Sequence, residues 1–352
     1  MIESKQYQSD VEMTAQLPLN WGKLRSASIL LTGAGGMIGT FLIDVLMYRN
    51  RVWNDNIKIC GVTRRKAEVQ KRFAPYLKEG LTFLEWDVTQ PYPEKEAGVY
   101  DYVIHGASNT HPLAYGADPV GTIGGNVMGL WQLLNLGSSH TSSRFLLMSS
   151  VEIYGENVTG IPAFKENDLG YLDCNTVRAG YPESKRLSES LCQAFRAQYG
   201  IDFVTARLSR VYGPTMRPED SKALSQFIKN AVKGENIVLK SEGKQYYSYT
   251  YVADAAAALL LLLLEGVSGE AYNVADERSD VTLKELAEKL AQIAGTGVVF
   301  QVPDREEQKG YSTATKAILD GSKIRDLGYC ARFSIEEGLK HTVSILKEEY
   351  KG

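Results

Sequence analysis

Short apolar runs punctuate the first two thirds of the chain. Ile29 to Leu31, Ile57 to Val62, Thr82 to Trp86, Tyr102 to His105, Arg144 to Ser149 and Asp202 to Leu208 each have the length of a buried strand. Between several of them the apolar spacing lengthens to that of a helix: Phe41, Leu42, Val45 and Leu46, then Ala67 to Leu77, Val120 to Leu136, and Tyr181 to Tyr199. Strands alternating with helices predict an α/β fold built on a doubly wound parallel sheet.

Beyond Val211-Tyr212-Gly213-Pro214 the alternation loosens. A helix is expected from Ser221 to Val232, and a polar, tyrosine-rich stretch (Tyr246, Tyr247, Tyr249, Tyr251) leads into a buried helix from Ala255 to Leu264. Thr282-Leu283-Lys284-Glu285 has the capping-box pattern and opens a helix running to Ala294. Residues 1–24 read as a polar lead-in anchored by Leu17 and Trp21. No repeat, low-complexity linker or sharp boundary divides the chain. The expected organisation is a sheet domain over 25–207 and a smaller lobe over 208–352, interleaved with it, part of 246–276 returning to the sheet domain.

Composition narrows the function classes. A chain of 352 residues with 44% hydrophobic and 23% charged content has room for a large core and the balance of a globular protein. A formal net charge of -3 gives no electrostatic reason to expect nucleic acid or an anionic membrane surface as a partner. Cys60, Cys174, Cys192 and Cys330 form no C-x-x-C pair and suit a reducing compartment. The polar start (Glu3, Lys5, Gln6, Asp10) shows no signal-peptide pattern, and the apolar run from Ala255 to Leu264 is too short to span a bilayer. A cytoplasmic protein is expected.

The first strand meets a glycine cluster, Thr32-Gly33-Ala34-Gly35-Gly36-Met37-Ile38-Gly39, with Gly33, Gly36 and Gly39 at G-x-x-G-x-x-G spacing. Gly33 suits a tight turn, Gly36 a close approach of a diphosphate, and Gly39 close packing of helix on strand. The amides around Met37 and Ile38, at the positive end of the following helix, then face phosphate. A plain glycine turn uses the same residue type, so the strand before and the helix after carry the reading. Further on, Tyr181 and Lys185 stand one helical turn apart on one face. A free phenol titrates near ~10, and a neighbouring ammonium favours its phenolate. Ser150 lies just past the carboxyl end of the fifth strand, where open α/β sheets bind ligands. His105 and His111 have no metal-site spacing and read as packing residues; no metal is expected.

These pieces, with Asp87-Val88, His105-Gly106-Ala107-Ser108, Asn126-Val127-Met128-Gly129, Arg207 to Pro214, Tyr251-Val252-Ala253-Asp254 and Asn273-Val274-Ala275, resemble the extended short-chain dehydrogenase/reductases. More narrowly, the chain is similar to the NAD-dependent epimerase/dehydratase family acting on nucleotide sugars. The resemblance implies a Rossmann-type domain with an interleaved C-terminal substrate-binding lobe, a nicotinamide cofactor and a nucleotide-diphosphate sugar. It implies Tyr181 as the general base for the sugar hydroxyl, Lys185 as the partner of the nicotinamide ribose, and Ser150 as a hydrogen-bond partner of the same sugar oxygen. Gly33, Gly36, Met37, Ile38, Gly39, Arg64, Asp87, Val88, Ala107 and Ser108 would line the cofactor. Asn126 fits either packing or cofactor contact.

Within the family the closest general likeness is to UDP-glucuronate decarboxylases: Asp87-Val88-Thr89-Gln90-Pro91 and Ala107-Ser108 resemble their segments, and Ser150-x-Glu152 matches their hydroxyl-x-glutamate. Val151 replaces the aspartate of the 4,6-dehydratases and counts against dehydration. Two positions depart from the decarboxylases: Tyr247 stands where they carry an arginine, and Arg210 where they carry an asparagine. Arg210 is a candidate replacement for the missing cation. A nucleotide-sugar 4-epimerase and an NADPH-dependent keto-sugar reductase are the alternatives; intact Ser150, Tyr181 and Lys185 argue against a non-catalytic sensor. The second strand ends Thr63-Arg64-Arg65 without a carboxylate, which favours NADP over NAD. The family's pairing through two helices implies a homodimer, built here from Val120 to Leu136 and Leu187 to Phe195.

Overall fold

The computed structural model describes residues 3–93, 98–110, 112–138, 143–301 and 314–351. Seven parallel strands form the central sheet: β1 (Ser28–Thr32), β2 (Lys58–Thr63), β3 (Leu81–Glu85), β4 (Tyr102–His105), β5 (Arg144–Ser150), β6 (Asp202–Leu208) and β10 (Ala271–Val274). Their order is β10-β6-β5-β4-β1-β2-β3, so the winding reverses between β1 and β4. Helices α2 (Met37–Trp53), α3 (Lys66–Arg72), α4 (Pro112–Ala117), α5 (Pro119–Ser138), α6 (Gly180–Tyr199) and α8 (Val252–Glu265) flank it. Covered on both faces, the strands read as continuous apolar runs: Ile29, Leu30 and Leu31 are all fully buried. A crevice at the reversal, beyond the carboxyl ends of β1 and β4, is where such sheets take ligands.

Apart from Asp254, whose carboxylate accepts from Arg332 N and Phe333 N, helix α8 is apolar on every side because it is buried all round, from Val252 to Leu264. Burial of each leucine there contributes about 1.5–3 kcal/mol. Its last carbonyls meet cations: Arg144 Nε donates to Leu263 O at 2.7 Å and Lys23 Nζ to Leu264 O at 2.6 Å. Among the described residues, no helix is long and apolar enough to cross a membrane.

The remaining elements surround the tyrosine-rich stretch, which is strand β9 (Tyr246–Tyr251). It pairs with β7 (Arg210–Tyr212) and β13 (Lys316–Ala317) in parallel and with β11 (Asp280–Thr282) antiparallel. A two-stranded ladder joins β8 (Ile237–Leu239) to β12 (Val298–Phe300), and α7 (Ala223–Lys233) packs on α9 (Leu283–Ala294). The capping box is formed: Thr282 Oγ accepts from Glu285 N while the Glu285 carboxylate accepts from Thr282 N. Short α10 (Ser322–Asp326) and long α11 (Ile335–Lys351) complete the chain.

Two expectations are corrected. Residues 5–15 form a docked helix, α1 (Lys5–Ala15), capped by Ser4. Its buried face sets polar anchors beside the apolar Val11 and Ala15: Tyr7 OH donates to Asp44 at 2.5 Å, and the fully buried Asp10 accepts from Tyr251 OH at 2.7 Å and pairs with His341 at 3.0 Å. Asp10 and Thr14 interrupt the apolar stripe of Tyr7, Val11 and Ala15 and blur it in the sequence. The helix expected over 67–77 ends at Arg72 and gives way to a short 3-10 turn, Ala74–Tyr76, where Pro75 removes a backbone donor.

Candidate active site

The glycine cluster turns the chain from β1 into α2. Gly33 has a φ of 77°, and a Cβ there would meet Gly106 O at 2.7 Å, so both conformation and the approach of the β4 end require glycine. Gly39 packs on the Gly33 carbonyl, the close helix-on-turn contact expected of it. Gly36 is the N-cap of α2, with no side-chain cap and no acidic residue in the first turn. The amides beside Met37 and Ile38 therefore suit a diphosphate, and the turn fits a dinucleotide.

Around it stand the other expected cofactor residues. Ala107 N and Gly106 N both donate to Thr32 Oγ at 3.2 Å, fixing the segment that carries Ser108. Val88 is buried beneath α5. The Asp87 carboxylate accepts from Thr89 N and Thr89 Oγ; burial opposes its charge, but these bonds and the nearby Arg64 hold it below the usual carboxylate range. Arg64 is exposed at the end of β2, and Arg65 pairs with Glu219 at 3.1 Å. Sequence reasoning missed Arg217, which follows β7 and donates from Nη2 to Gly35 O at 3.2 Å. His105 is buried against Thr32 Oγ, 2.9 Å from Nδ1; burial and the charge of Lys185 keep it neutral, with a pKa of about 3. His111 lies outside the described residues. Asn126 bridges helices: its Nδ2 donates to Ser184 Oγ at 2.8 Å, and its carbonyl accepts from Ser188 Oγ.

Ser150, at the carboxyl end of β5, faces the start of α6. Tyr181 and Lys185 lie on the buried face of that helix. Lys185 Nζ donates to Met148 O at 2.9 Å, and burial draws its pKa down to about 8. Burial pushes the Tyr181 phenol up to about 12, with the Ser150 hydroxyl acting against it. Lys185, whose Nζ lies 6.0 Å from the Tyr181 ring centroid, does not offset that burial. The expected lysine-lowered phenol is thus not a property of the chain alone.

Glu152 sits in the 3-10 turn Val151–Tyr154, its amide bonded to Ser150 Oγ at 3.2 Å. Two arginines hold its carboxylate: Arg178 Nη2 is 2.6 Å from Oε2 and Arg210 Nη2 is 3.3 Å from Oε1. Burial raises the Glu152 pKa, but the two guanidinium groups outweigh it and keep the carboxyl ionised below its ordinary value. Each arginine also lies against an aromatic ring. Arg210 is 3.5 Å from the Tyr247 centroid and Arg178 is 5.1 Å from that of Tyr115, which stacks in turn on Tyr181 at 5.2 Å. Arg178 escaped the sequence reading; its only signal is its place three residues before Tyr181, in the turn Val177–Ala179 that feeds α6. By contrast Arg207 belongs to the scaffold, tied to Glu189 at 2.7 Å and to Tyr154 OH at 2.9 Å.

Comparison with known proteins follows the same lines. The model of the NAD dependent epimerase/dehydratase family matches residues 29–275. UDP-glucuronic acid decarboxylase 6 of Arabidopsis thaliana is 29% identical over 328 residues, covering 92% of this chain and 88% of that protein. UDP-glucuronic acid decarboxylase 1 of Xenopus tropicalis is 28% identical over 326 residues, covering 91% of this chain and 72% of its own. Among solved structures, a UDP-glucuronic acid 4-epimerase from Bacillus cereus, in complex with UDP-glucuronic acid and NAD, superposes with a TM-score of 0.77 at 23% identity, covering 92% of this chain and 100% of that one. A dTDP-glucose 4,6-dehydratase from Bacillus anthracis, in complex with NAD, gives 0.76 at 18% identity, covering 92% and 98%. At these identities the solved structures speak for the fold.

Proposed function

This chain belongs to the NAD dependent epimerase/dehydratase family, and on that premise we propose that it decarboxylates a nucleotide-linked uronate of the UDP-glucuronate type through a keto-sugar intermediate. It is an enzyme of the NAD(P)-dependent nucleotide-sugar class. The nicotinamide would supply hydride acceptance and return when bound, held by the Gly33–Gly39 turn, Asp87, Val88, Ala107, Ser108 and Lys185. Tyr181 takes the proton of the sugar 4-hydroxyl, and Ser150 hydrogen-bonds the same oxygen. The resulting 4-ketone leaves the carboxylate β to a carbonyl. The C5–C6 bond then breaks, its electron pair moves to the carbonyl oxygen, carbon dioxide departs, and C5 takes a proton.

One observation carries the reading: an ionised Glu152 stands two residues beyond Ser150, bracketed by two guanidinium groups. A carboxylate there serves the ring near C5 and C6, whereas inversion at C4 alone has no evident use for it. A uronate 4-epimerase is the second reading, favoured by Tyr247, which stands where the decarboxylases carry arginine. NMR after incubation with UDP-glucuronate separates them: a UDP-pentose and bicarbonate support decarboxylation, and a uronate inverted at C4 with its carboxylate retained supports the epimerase.

Two finer features complete the proposal. NADP is the preferred cofactor, supported by Arg64, Arg65 and Arg217 around the end of β2, which carries no carboxylate of its own. The protein is a homodimer paired through α5 and α6, whose outer faces expose Val120, Ile123, Met128, Trp131 and Leu187.

A further inference from the structure

We infer that Arg178 and Arg210 form a receiver for a second carboxylate, that of an acidic sugar, with Glu152 as the resident counter-charge between them. Each arginine places one terminal nitrogen near one oxygen of Glu152, so neither gives its bidentate edge to that carboxylate. Arg178 Nε and Nη1 and Arg210 Nη1 are buried and have no hydrogen-bond partner among the described residues. Buried guanidinium N–H groups without acceptors are costly, and two cations against one carboxylate leave an excess positive charge in a largely buried place. The three side chains are only 20–21% exposed.

The aromatic rings explain the orientation. Tyr115 and Tyr247 engage the guanidinium groups through their rings, and the buried N–H groups named above stay without an acceptor that a planar anion would supply. The receiver adjoins Tyr181 through the Tyr115 ring and adjoins Ser150 through the Glu152 turn. A uronate carboxylate is planar, singly charged and fixed to the ring carbon next to the reacting one. A neutral hexose offers only a hydroxymethyl group there and would leave the three donors unpaired. Arg178 is therefore the residue by which this chain distinguishes acidic from neutral nucleotide sugars, and Glu152 limits how tightly the acid is held. The inference rests on the reading that a nucleotide sugar lies against Ser150 and Tyr181.

Calorimetric titration in the Tyr181→Phe background, where the sugar stays unreacted, tests it. UDP-glucuronate should bind about tenfold or more tightly than UDP-glucose, the effect of a charge-assisted pair. Arg178→Gln should abolish that preference while leaving UDP-glucose affinity within about twofold, and Glu152→Gln should widen it. Arg178→Lys, which keeps the charge without the fork, guards against a misfolded variant: it should still bind UDP-glucose and lose most of the preference. Equal binding of the two sugars by the unsubstituted receiver, or an undiminished preference in Arg178→Lys, overturns the inference. So does an equal loss for both sugars in Arg178→Gln, which would put the guanidinium on the diphosphate or in the scaffold. A UDP-pentose formed by wild type with a preference that survives Arg178→Gln sinks this inference and spares the decarboxylase reading; a preference that depends on Arg178 without any pentose does the reverse.

Discussion

The guanidinium of Arg210 lies 3.5 Å from the centroid of the Tyr247 ring, joining the two residues expected from the sequence to contact substrate. The contact follows from strand register. Arg210 is opposite Tyr249 in the parallel β7–β9 pair, and Tyr247, two residues earlier on β9, is its diagonal neighbour on the same face. Tyr247 also donates its hydroxyl to Ala314 O at 2.7 Å, which anchors the ring. The tyrosine ring therefore seats the guanidinium of the neighbouring strand.

That pairing predicts coupling between the two residues. In a double-mutant cycle of Arg210→Gln and Tyr247→Leu, read as binding of the nucleotide uronate, the interaction should amount to about 0.5–2 kcal/mol. Tyr247→Phe should keep most of it, because the ring remains. Strictly additive effects would show that the ring does not hold the arginine.

Tyr181→Phe should abolish turnover and leave binding of cofactor and sugar near wild type, since only a transferable proton is removed. Lys185→Ala should cost both activity and cofactor affinity. Progress curves by NMR and calorimetry check the two together; full activity of the phenylalanine variant at neutral pH would end the proposed role.

Lys185 makes stability depend on pH with a definite sign. Burial lowers its pKa from 10.5 to about 8, so below pH 8 the folded protein carries a desolvated charge. Between those values the unfolded chain binds more protons than the folded one, and stability rises with pH. Lys185→Met should therefore be more stable than wild type at pH 7.5, and the gap should close as pH approaches 10. Denaturant unfolding at several pH values measures it, and a gap independent of pH contradicts the buried charge.

Cofactor choice is tested at the end of β2. NADP should bind more tightly than NAD, and Arg64→Ala should weaken NADP alone. Tighter NAD binding, unchanged by the substitution, would refute the preference.

Light scattering at micromolar concentration should give twice the 39.0 kDa chain mass. Trp131→Glu on the outer face of α5, where the residue is 46% exposed, should return the protein to that single mass. A wild-type protein that is already monomeric contradicts the pairing.

Much of the sheet was legible because burial on both faces turns strands such as Ile29 to Leu31 into unbroken apolar runs, and helices such as α6 keep a clear period. Ser150, Tyr181 and Lys185 were legible because fixed spacing places them at a strand end and on one helix face. Arg178 was not, because it lies on an irregular turn with no period. Arg217 was not, because its bond to Gly35 joins residues 182 positions apart. Helix α1 was hidden because Asp10 and Thr14, buried as hydrogen-bonding groups, break up the short stripe of Tyr7, Val11 and Ala15 that marks its docked face.

The clasp between α1 and α11 also imposes an order on biosynthesis. Asp10 finds His341 across 331 positions of chain, and Tyr251 across 241. A ribosome has therefore delivered the chain through His341 before the carboxylate of Asp10 can hold both of these partners. The first helix itself can settle earlier on α2, where Tyr7 meets Asp44 only 37 positions along, so the long closure made by Asp10 locks a docking already begun.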